Sequence, residues 1–279
     1  MATGKEIKTR IASIQNTLKI TNTMYLVSSA KYNSALTQLN KFKDFSGAVE
    51  KYSSIILSDI DETVSIYTDN TRQGIHAYLV IGSNKGLAGD YNKQIAKRVK
   101  EIFKSDENCK IYVAGSKLKS VLHNMNVPTA RHFDFDFRNP DDESAQYLAD
   151  FFDKKYTDGE IARLSVVFAE MQDGMNRKVK TEDLLPVPPK PGQKVCGGEF
   201  VNTKQEIIDT MMSLYIKTLI RSALINGYCS EQNARMTAMQ SASDNAKELL
   251  AELNTQYNHT RQASITREIT EISGERTQL

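Results

Sequence analysis

From about Lys204 to Gly274 the chain runs for roughly seventy residues with no proline and one interior glycine, Gly227. Stepping alternately by three and four from Ile208 gives Ile208, Met211, Tyr215, Thr218, Ser222, Ile225, Cys229, Gln232, Met236, Met239, Ser243, Ala246, Leu250, Leu253, Tyr257, Thr260 and Ser264. A seven-residue repeat held this long predicts one helix with a narrow seam facing another helix. At 1.5 Å per residue such a helix is about 100 Å long, so a compact domain cannot cover it. Thr218, Ser222, Gln232, Ser243, Thr260 and Ser264 stand where a coiled coil built for stability places Leu or Ile. Two readings are open: a coiled coil that tolerates lost apolar positions, or a surface that slides against, or binds and releases, something else.

The same stepping from Ile7 finds the partner. It gives Ile7, Ile11, Ile14, Leu18, Thr21, Tyr25, Ser28, Tyr32, Ala35, Leu39 and Phe42, most of them apolar. Thr3 stands three residues before Glu6, the spacing of a capping box, which starts the helix just after Thr3. The helix is expected to reach about Leu57, with an interruption near Ser46 and Gly47, where glycine weakens a helix. Between Lys5 and Lys51 eight Lys and Arg side chains outnumber Glu6, Asp44 and Glu50. This basic stem is either a solvated face or a surface that docks on something acidic.

Between the two helices the texture changes. Residues Ser58–Gly74 are polar and read as a connector. Ile75–Ile81 (IHAYLVI) reads as a strand, and a helix follows to about Lys104. Cys109–Val113 is a second strand, Lys117–Met125 a second helix, Asp142–Tyr156 a third helix and Leu164–Ala169 a third strand. Such alternation predicts a small Rossmann-like α/β domain with a parallel sheet. Val179–Phe200, with Pro186, Pro188, Pro189 and Pro191, is expected to be an extended edge and linker. The expected division is therefore 1–57 for the N-terminal helix, 58–74 for the connector, 75–203 for the α/β domain and 204–279 for the C-terminal helix.

Composition narrows the function. The 279 residues carry a formal charge of +2, too little to argue for nucleic acid. No apolar run reaches the 18 or so residues a spanning helix needs, so no direct membrane insertion is expected. Cys109, Cys196 and Cys229 are far apart, which suits free thiols. His76, His123, His132 and His259 are scattered, without metal-ligand spacing. The Gly82–Gly89 turn, after a strand and before a helix, stands where a dinucleotide fold cradles phosphate. Its spacing is G-x-x-x-G-x-x-G, it lacks Gly-Lys-Ser/Thr, and Asp90 would repel phosphate. A structural turn is the better reading, and neither a catalytic site, a cofactor site nor a metal site is expected.

Both helices carry specific motifs. The N-terminal one includes Ile7, Arg10, Ile11, Ser13, Ile14, Asn16, Thr17, Lys19, Ile20, Thr21, Met24, Val27 and Lys31. The C-terminal one includes Ser230-Glu231-x-x-Ala234-Arg235-Met236, Asn245-Ala246, and Arg261-Gln262-Ala263-x-Ile265-Thr266-x-Glu268-Ile269. With Gly86-Leu87, Gly89 and Tyr91-Asn92 in the middle, the chain resembles the gamma subunit of bacterial F-type ATP synthases over nearly its whole length. The resemblance implies an antiparallel coiled coil of the two terminal helices with an inserted α/β domain. It implies a non-catalytic rotor shaft inside a ring of three alpha and three beta subunits, with a foot held by the epsilon subunit and the c-subunit ring. It places the chain peripherally on the cytoplasmic face of a bacterial cell membrane. By the family's pattern, Met24, Arg235, Arg261, Gln262, Thr266 and Glu268 would touch the ring. The alternatives are a coiled-coil scaffold or adaptor with an α/β head, and a nucleotide-binding enzyme using the Gly82–Gly89 turn.

Overall fold

The computed structural model describes residues 4–58, 66–135, 142–172, 176–187 and 204–275. The elements run α1 (Gly4–Ser58), β1 (His76–Ile81), α2 (Tyr91–Ser105), β2 (Cys109–Ala114), α3 (Ser116–Asn124), β3 (Arg131–Phe133), α4 (Asp142–Thr157), β4 (Arg163–Met171), β5 (Arg177–Leu185) and α5 (Lys204–Glu275). They form two compact units, one of Met1–Ser29 with Arg235–Leu279 and one of Ala30–Ala234.

The larger unit is built on a five-stranded sheet in the order β3-β2-β1-β4-β5. β1 pairs in parallel with β2 and β4, and β2 with β3, while β5 runs antiparallel to β4. The sheet is thus mixed, where strand–helix alternation predicts a parallel one. The difference lies in β5, whose Arg177, Lys178, Lys180 and Glu182 hide an edge strand among charges. The three-residue β3 is too short to leave a pattern in the sequence.

Alternation along β1 divides the core. Ala77, Leu79 and Ile81 face α4 and the first turns of α5, where Phe152, Tyr156, Ile216 and Leu224 are buried. Tyr78 and Val80 face α2 and α3, against Ile95, Val99, Leu118 and Leu122. Because helices cover both faces, β1 is buried on both sets of alternate positions from Ala77 to Ile81, with polar groups only at His76 and the Tyr78 hydroxyl. The connector is better tied than its polarity suggests. Tyr67 stacks on Tyr156 with ring centroids 5.8 Å apart and donates to Asp153, while Tyr156 donates to the Ile66 carbonyl.

In this unit α1 lies antiparallel to α5. Ala35 packs with Tyr228 and Cys229, and the Arg221 guanidinium sits 4.9 Å from the centre of the Phe42 ring. Burial pushes the Cys229 thiol up to about 11, so it is neutral in this seam. No break occurs at Ser46 and Gly47. The Ser46 hydroxyl donates to the Lys43 carbonyl at 3.0 Å, and Val49 and Ser53 are buried on the same face. Continued packing outweighs the roughly 1 kcal/mol that glycine costs a helix.

At the first residue of β1 a chain of polar groups links three strands, β1, β4 and β5. His76 Nε2 lies 2.7 Å from Ser165 Oγ, and Ser165 donates in turn to Asp183. Ser165 therefore accepts from Nε2–H, which leaves Nδ1 to accept from the Tyr78 hydroxyl at 2.9 Å. Burial holds His76 below the ordinary imidazole range, against the opposing pull of Asp106 and Asp183. The folded protein thus binds this proton less readily than the unfolded chain. The neutral ring's contribution is full above the unfolded value of about 6.5 and is lost as pH falls through it toward the lower folded value. Denaturant midpoints measured between about pH 7 and pH 5.5 should fall with pH, and His76→Gln should flatten that slope.

Candidate functional site

The smaller unit pairs the first half of α1 with the last part of α5. Ile7, Thr21 and Ser28 are buried on one helix and Met239, Ser243, Ala246 and Leu253 on the other. Ser243 donates its hydroxyl to Thr21 Oγ1 at 2.7 Å, and Thr21 donates to the Leu18 carbonyl at 3.1 Å. With that register, only an antiparallel pairing puts Ile7 opposite α5 residues of this unit, near Tyr257. A parallel one would oppose it to residues before Arg235. Every expected seam position of α1 is buried or half-buried, and so is every one on α5 as far as Thr260. Ser264 is exposed, contrary to the heptad pattern, because the register carries α1's Gly4 only to about Thr260.

The polar seam positions are satisfied in place. Thr21 and Ser243 bond each other across the interface, which lets two hydroxyls occupy a dry contact at little cost. Such a pair fixes register more than it adds stability, since Leu or Ile at both places would bury more apolar surface.

The expected contact residues fall into two places. Met24 is half-buried and Arg235 is buried at 8% exposure, both within the paired section. Arg261, Gln262 and Thr266 are exposed on the length of α5 beyond that pairing. Thr266 Oγ1 donates to the Gln262 carbonyl at 2.9 Å, a bond within the helix that leaves the hydroxyl only its lone pairs for a partner. The side chain of Glu268 lies outside the described residues. At 1.5 Å per residue, Arg235 and Arg261 are about 39 Å apart along the helix axis, so these residues are two surfaces and not one.

Two features escaped the sequence reading. Ile265 and Ile269, 46% and 62% exposed, stand four residues apart beside Arg261 and Thr266, an apolar stripe on the uncovered helix. Heptad stepping passes over them because their signal exists only once the seam's end is known. The extent of Arg235's burial is the other, since its place one residue before Met236 on the seam says nothing of how deeply it is covered.

The Gly82–Gly89 turn is occupied by its own chain. A Cβ on Gly82 would stand 2.5 Å from the Leu118 side chain, so the turn packs directly on α3. The Ser83 amide donates to Asn92 Oδ1 at 3.1 Å, Asn92 donates back to Ser83 Oγ at 2.7 Å, and the Tyr91 amide donates to the Ala88 carbonyl. Asp90 stands at the start of α2, paired with Arg177. Two amides at the ends of this turn are thus already donating, and Asp90 stands at the helix N-terminus where an anion would go. Among the described residues no three or more His, Cys, Asp or Glu side chains gather as a metal would require, and no helix is long and apolar enough to cross a membrane.

Two terminal helices paired antiparallel, with a five-stranded α/β domain inserted between them, define the class: helical-hairpin chains carrying an internal α/β domain. A family model described as ATP synthase matches residues 3–276. The chain is 33% identical to the ATP synthase gamma chain of Clostridium botulinum (strain Eklund 17B / Type B) over 282 residues, which cover 96% of this chain and 95% of that one. It is 32% identical to the ATP synthase gamma chain of Ruminiclostridium cellulolyticum, covering 97% and 96%. Among solved structures, its fold resembles a chain of the Euglena gracilis mitochondrial ATP synthase OSCP/F1/c-ring in rotational state 3, with a TM-score of 0.69 at 16% identity, covering 98% of this chain and 93% of that one. It also resembles a chain of the Tetrahymena thermophila mitochondrial ATP synthase central stalk and c-ring, with a TM-score of 0.63 at 18% identity, covering 80% and 99%. The chain belongs to the ATP synthase gamma chain family.

The Thr21–Ser243 bond can be tested by a double-mutant cycle. Ser243→Ala alone should lower unfolding stability by about 1 kcal/mol, and in a Thr21→Val background the same change should cost little, because the Ser243 hydroxyl has already lost its acceptor. Additive losses would mean that the hydroxyls do not act on each other.

Proposed function

We propose that this chain is the central rotor shaft of an F-type ATP synthase, coupling ion-driven rotation of a c-subunit ring to successive conformational changes at catalytic sites on beta subunits. What carries this reading is family membership over almost the whole chain, together with a helix pair made from both chain ends. The chain itself is non-catalytic. Its partners are three alpha and three beta subunits around the helices, an epsilon subunit, and the c ring. It works as a peripheral protein on the cytoplasmic face of a bacterial cell membrane. In this reading 1–57 and 204–279 form the shaft, 58–74 a connector and 75–203 the foot.

A shaft does no chemistry. It biases the populations of its neighbours' conformations, and only through contacts whose free energy differs between orientations. We assign these contacts to Met24 and Arg235 on the paired section and to Arg261, Gln262, Thr266 and Glu268 beyond it. The separation of these two groups along α5 supports the assignment, because a ring that surrounds a helix needs contacts at more than one height to convert rotation into alternating states. The exposed Ile265 and Ile269 beside the second group give it apolar area without adhesion along the whole length.

Purification with the alpha and beta subunits of the source organism is expected to give one copy of this chain with three of each partner, and altered steady ATP hydrolysis. A chain that fails to join them would overturn the shaft reading. Met24→Lys is expected to lower ion pumping per ATP about fivefold, the effect of roughly 1 kcal/mol of lost coupling, with assembly retained. Equal pumping per ATP would remove Met24 from the contact. Truncation before Arg261 should weaken coupling and leave the α/β domain folded, as read by circular dichroism and by pumping assays on the same preparation.

A further inference from the structure

Gly227, well inside α5, stands where that helix packs tightly against the end of the sheet. A Cβ on Gly227 would lie 2.9 Å from Ile81 Cγ2, at the C-terminal end of β1, and 3.6 Å from the Tyr91 hydroxyl. A larger residue would force Ile81 or the helix to shift. The space gained is used for a bond: Tyr91, the first residue of α2 and 1% exposed, donates its hydroxyl to the Gly227 carbonyl at 2.9 Å. That carbonyl keeps a second lone pair for its own helix. Three residues on, on the same side of the helix, fully buried Ser230 donates to the Ala169 carbonyl at 2.7 Å, near the C-terminal end of β4. Asn233 Nδ2 then lies 3.6 Å from Met171 Sδ, the last residue of β4. On the other side of these turns, Tyr228 and Cys229 pack with Ala35 of α1.

These bonds differ in kind from the rest of the junction. From Ile208 to Leu224, α5 meets the sheet through Ile208, Met212, Ile216, Leu219, Ile220 and other apolar side chains. Apolar contact is non-directional: it resists separation but has no preferred angle of sliding. Hydrogen bonds weaken steeply once their geometry is lost, so two of them, three residues apart on α5 and anchored one on α2 and one on β4, fix both the rotation of α5 about its axis and its height. They also occupy the last two turns of α5 within this unit, which ends at Ala234.

We propose that Tyr91, Gly227 and Ser230 are positioning residues that clamp the rotational setting of α5 on the α/β domain, so that torque entering through the domain turns the helix without slip. This rests on the rotor-shaft reading. Its signature is load dependence: slip costs nothing when the rotor turns freely and grows as the opposing force rises.

The experiment uses the complete ATP synthase in inverted membrane vesicles, with Tyr91→Phe, Ser230→Ala, the double variant and Ser230→Thr. ATP hydrolysis, assembled complex, and ATP-driven ion uptake are followed as the opposing ion gradient is raised. The double variant should hydrolyse ATP normally without a gradient, yet lose ion uptake per ATP several-fold near the limiting gradient. Each single change should lose less, and Ser230→Thr, which keeps the hydroxyl, should stay near the parent. A merely structural role would lower the thermal midpoint and leave the load response unmoved, and that result overturns the clamp. If the double variant does not assemble, Tyr91→Phe alone decides the matter in the same way, since it removes one oxygen and keeps the ring. Failure of the rotor reading looks different: vesicles with the unaltered chain would show no ATP-driven uptake that depends on it.

Discussion

A helix as long as α5 depends on being covered along its length, because its own hydrogen bonds add little net stability in water and its apolar side chains must be buried by something else. The coverage comes in sections. In the larger unit its first turns lie on a sheet face beside α4, with Phe152 and Tyr156 buried in the same cluster. Cys229 and Tyr228 then meet α1, and in the smaller unit Ser243, Ala246 and Leu253 meet the beginning of α1. Past Thr260 every described side chain of α5 is exposed. Each change of cover changes what the side chains must be, and for this reason the hydrophobic content of one continuous helix varies so widely along it.

That variation answers the question the impure seam raises. Where α5 faces the sheet, its buried residues are Ile208, Met212, Ile216 and Leu224, and the contact is that of an ordinary core. Where it faces α1 alone, Thr21 and Ser243 replace apolar partners and bond each other. A contact of this kind holds two helices in register while burying less apolar surface than Leu against Leu. It is suited to a part whose outer face must meet other proteins without sticking, since a stiffer apolar seam brings no advantage there and broader apolar faces would adhere.

Much of this was legible from spacing. The three-and-four stepping located nearly all seam residues on both helices, because burial on one face of a helix leaves a period that composition cannot hide. β1, β2 and β4 were legible as apolar runs for a related reason, their faces being covered on both sides. What stayed hidden depends on distant partners. β3 has three residues, and β5 reads as a charged, proline-flanked edge whose direction only the Leu164–Leu185 and Ser165–Asp183 pairings reveal. Gly47 read as a break because propensity is local, while the burial of Val49 and Ser53 is not. Of the proposed contact residues, the family motif supplied the identities, yet the division into a paired group and an uncovered group follows from register alone.

Gly227 shows how the same residue type takes opposite meanings. Gly47 has open space where its Cβ would be, and the helix tolerates it. Gly227 has Ile81 there, and the helix requires it. The difference is invisible in the sequence, where both are single glycines in long helical stretches, and it arises because α5 packs tightly on the Ile81 side chain at the end of β1. A close crossing brings carbonyls within reach of Tyr91 and Ser230, which converts a greasy junction into one with a defined angle. In the proposed rotor shaft, the angle at that junction matters more than its free energy, since a strongly held helix that can turn in its seat transmits nothing.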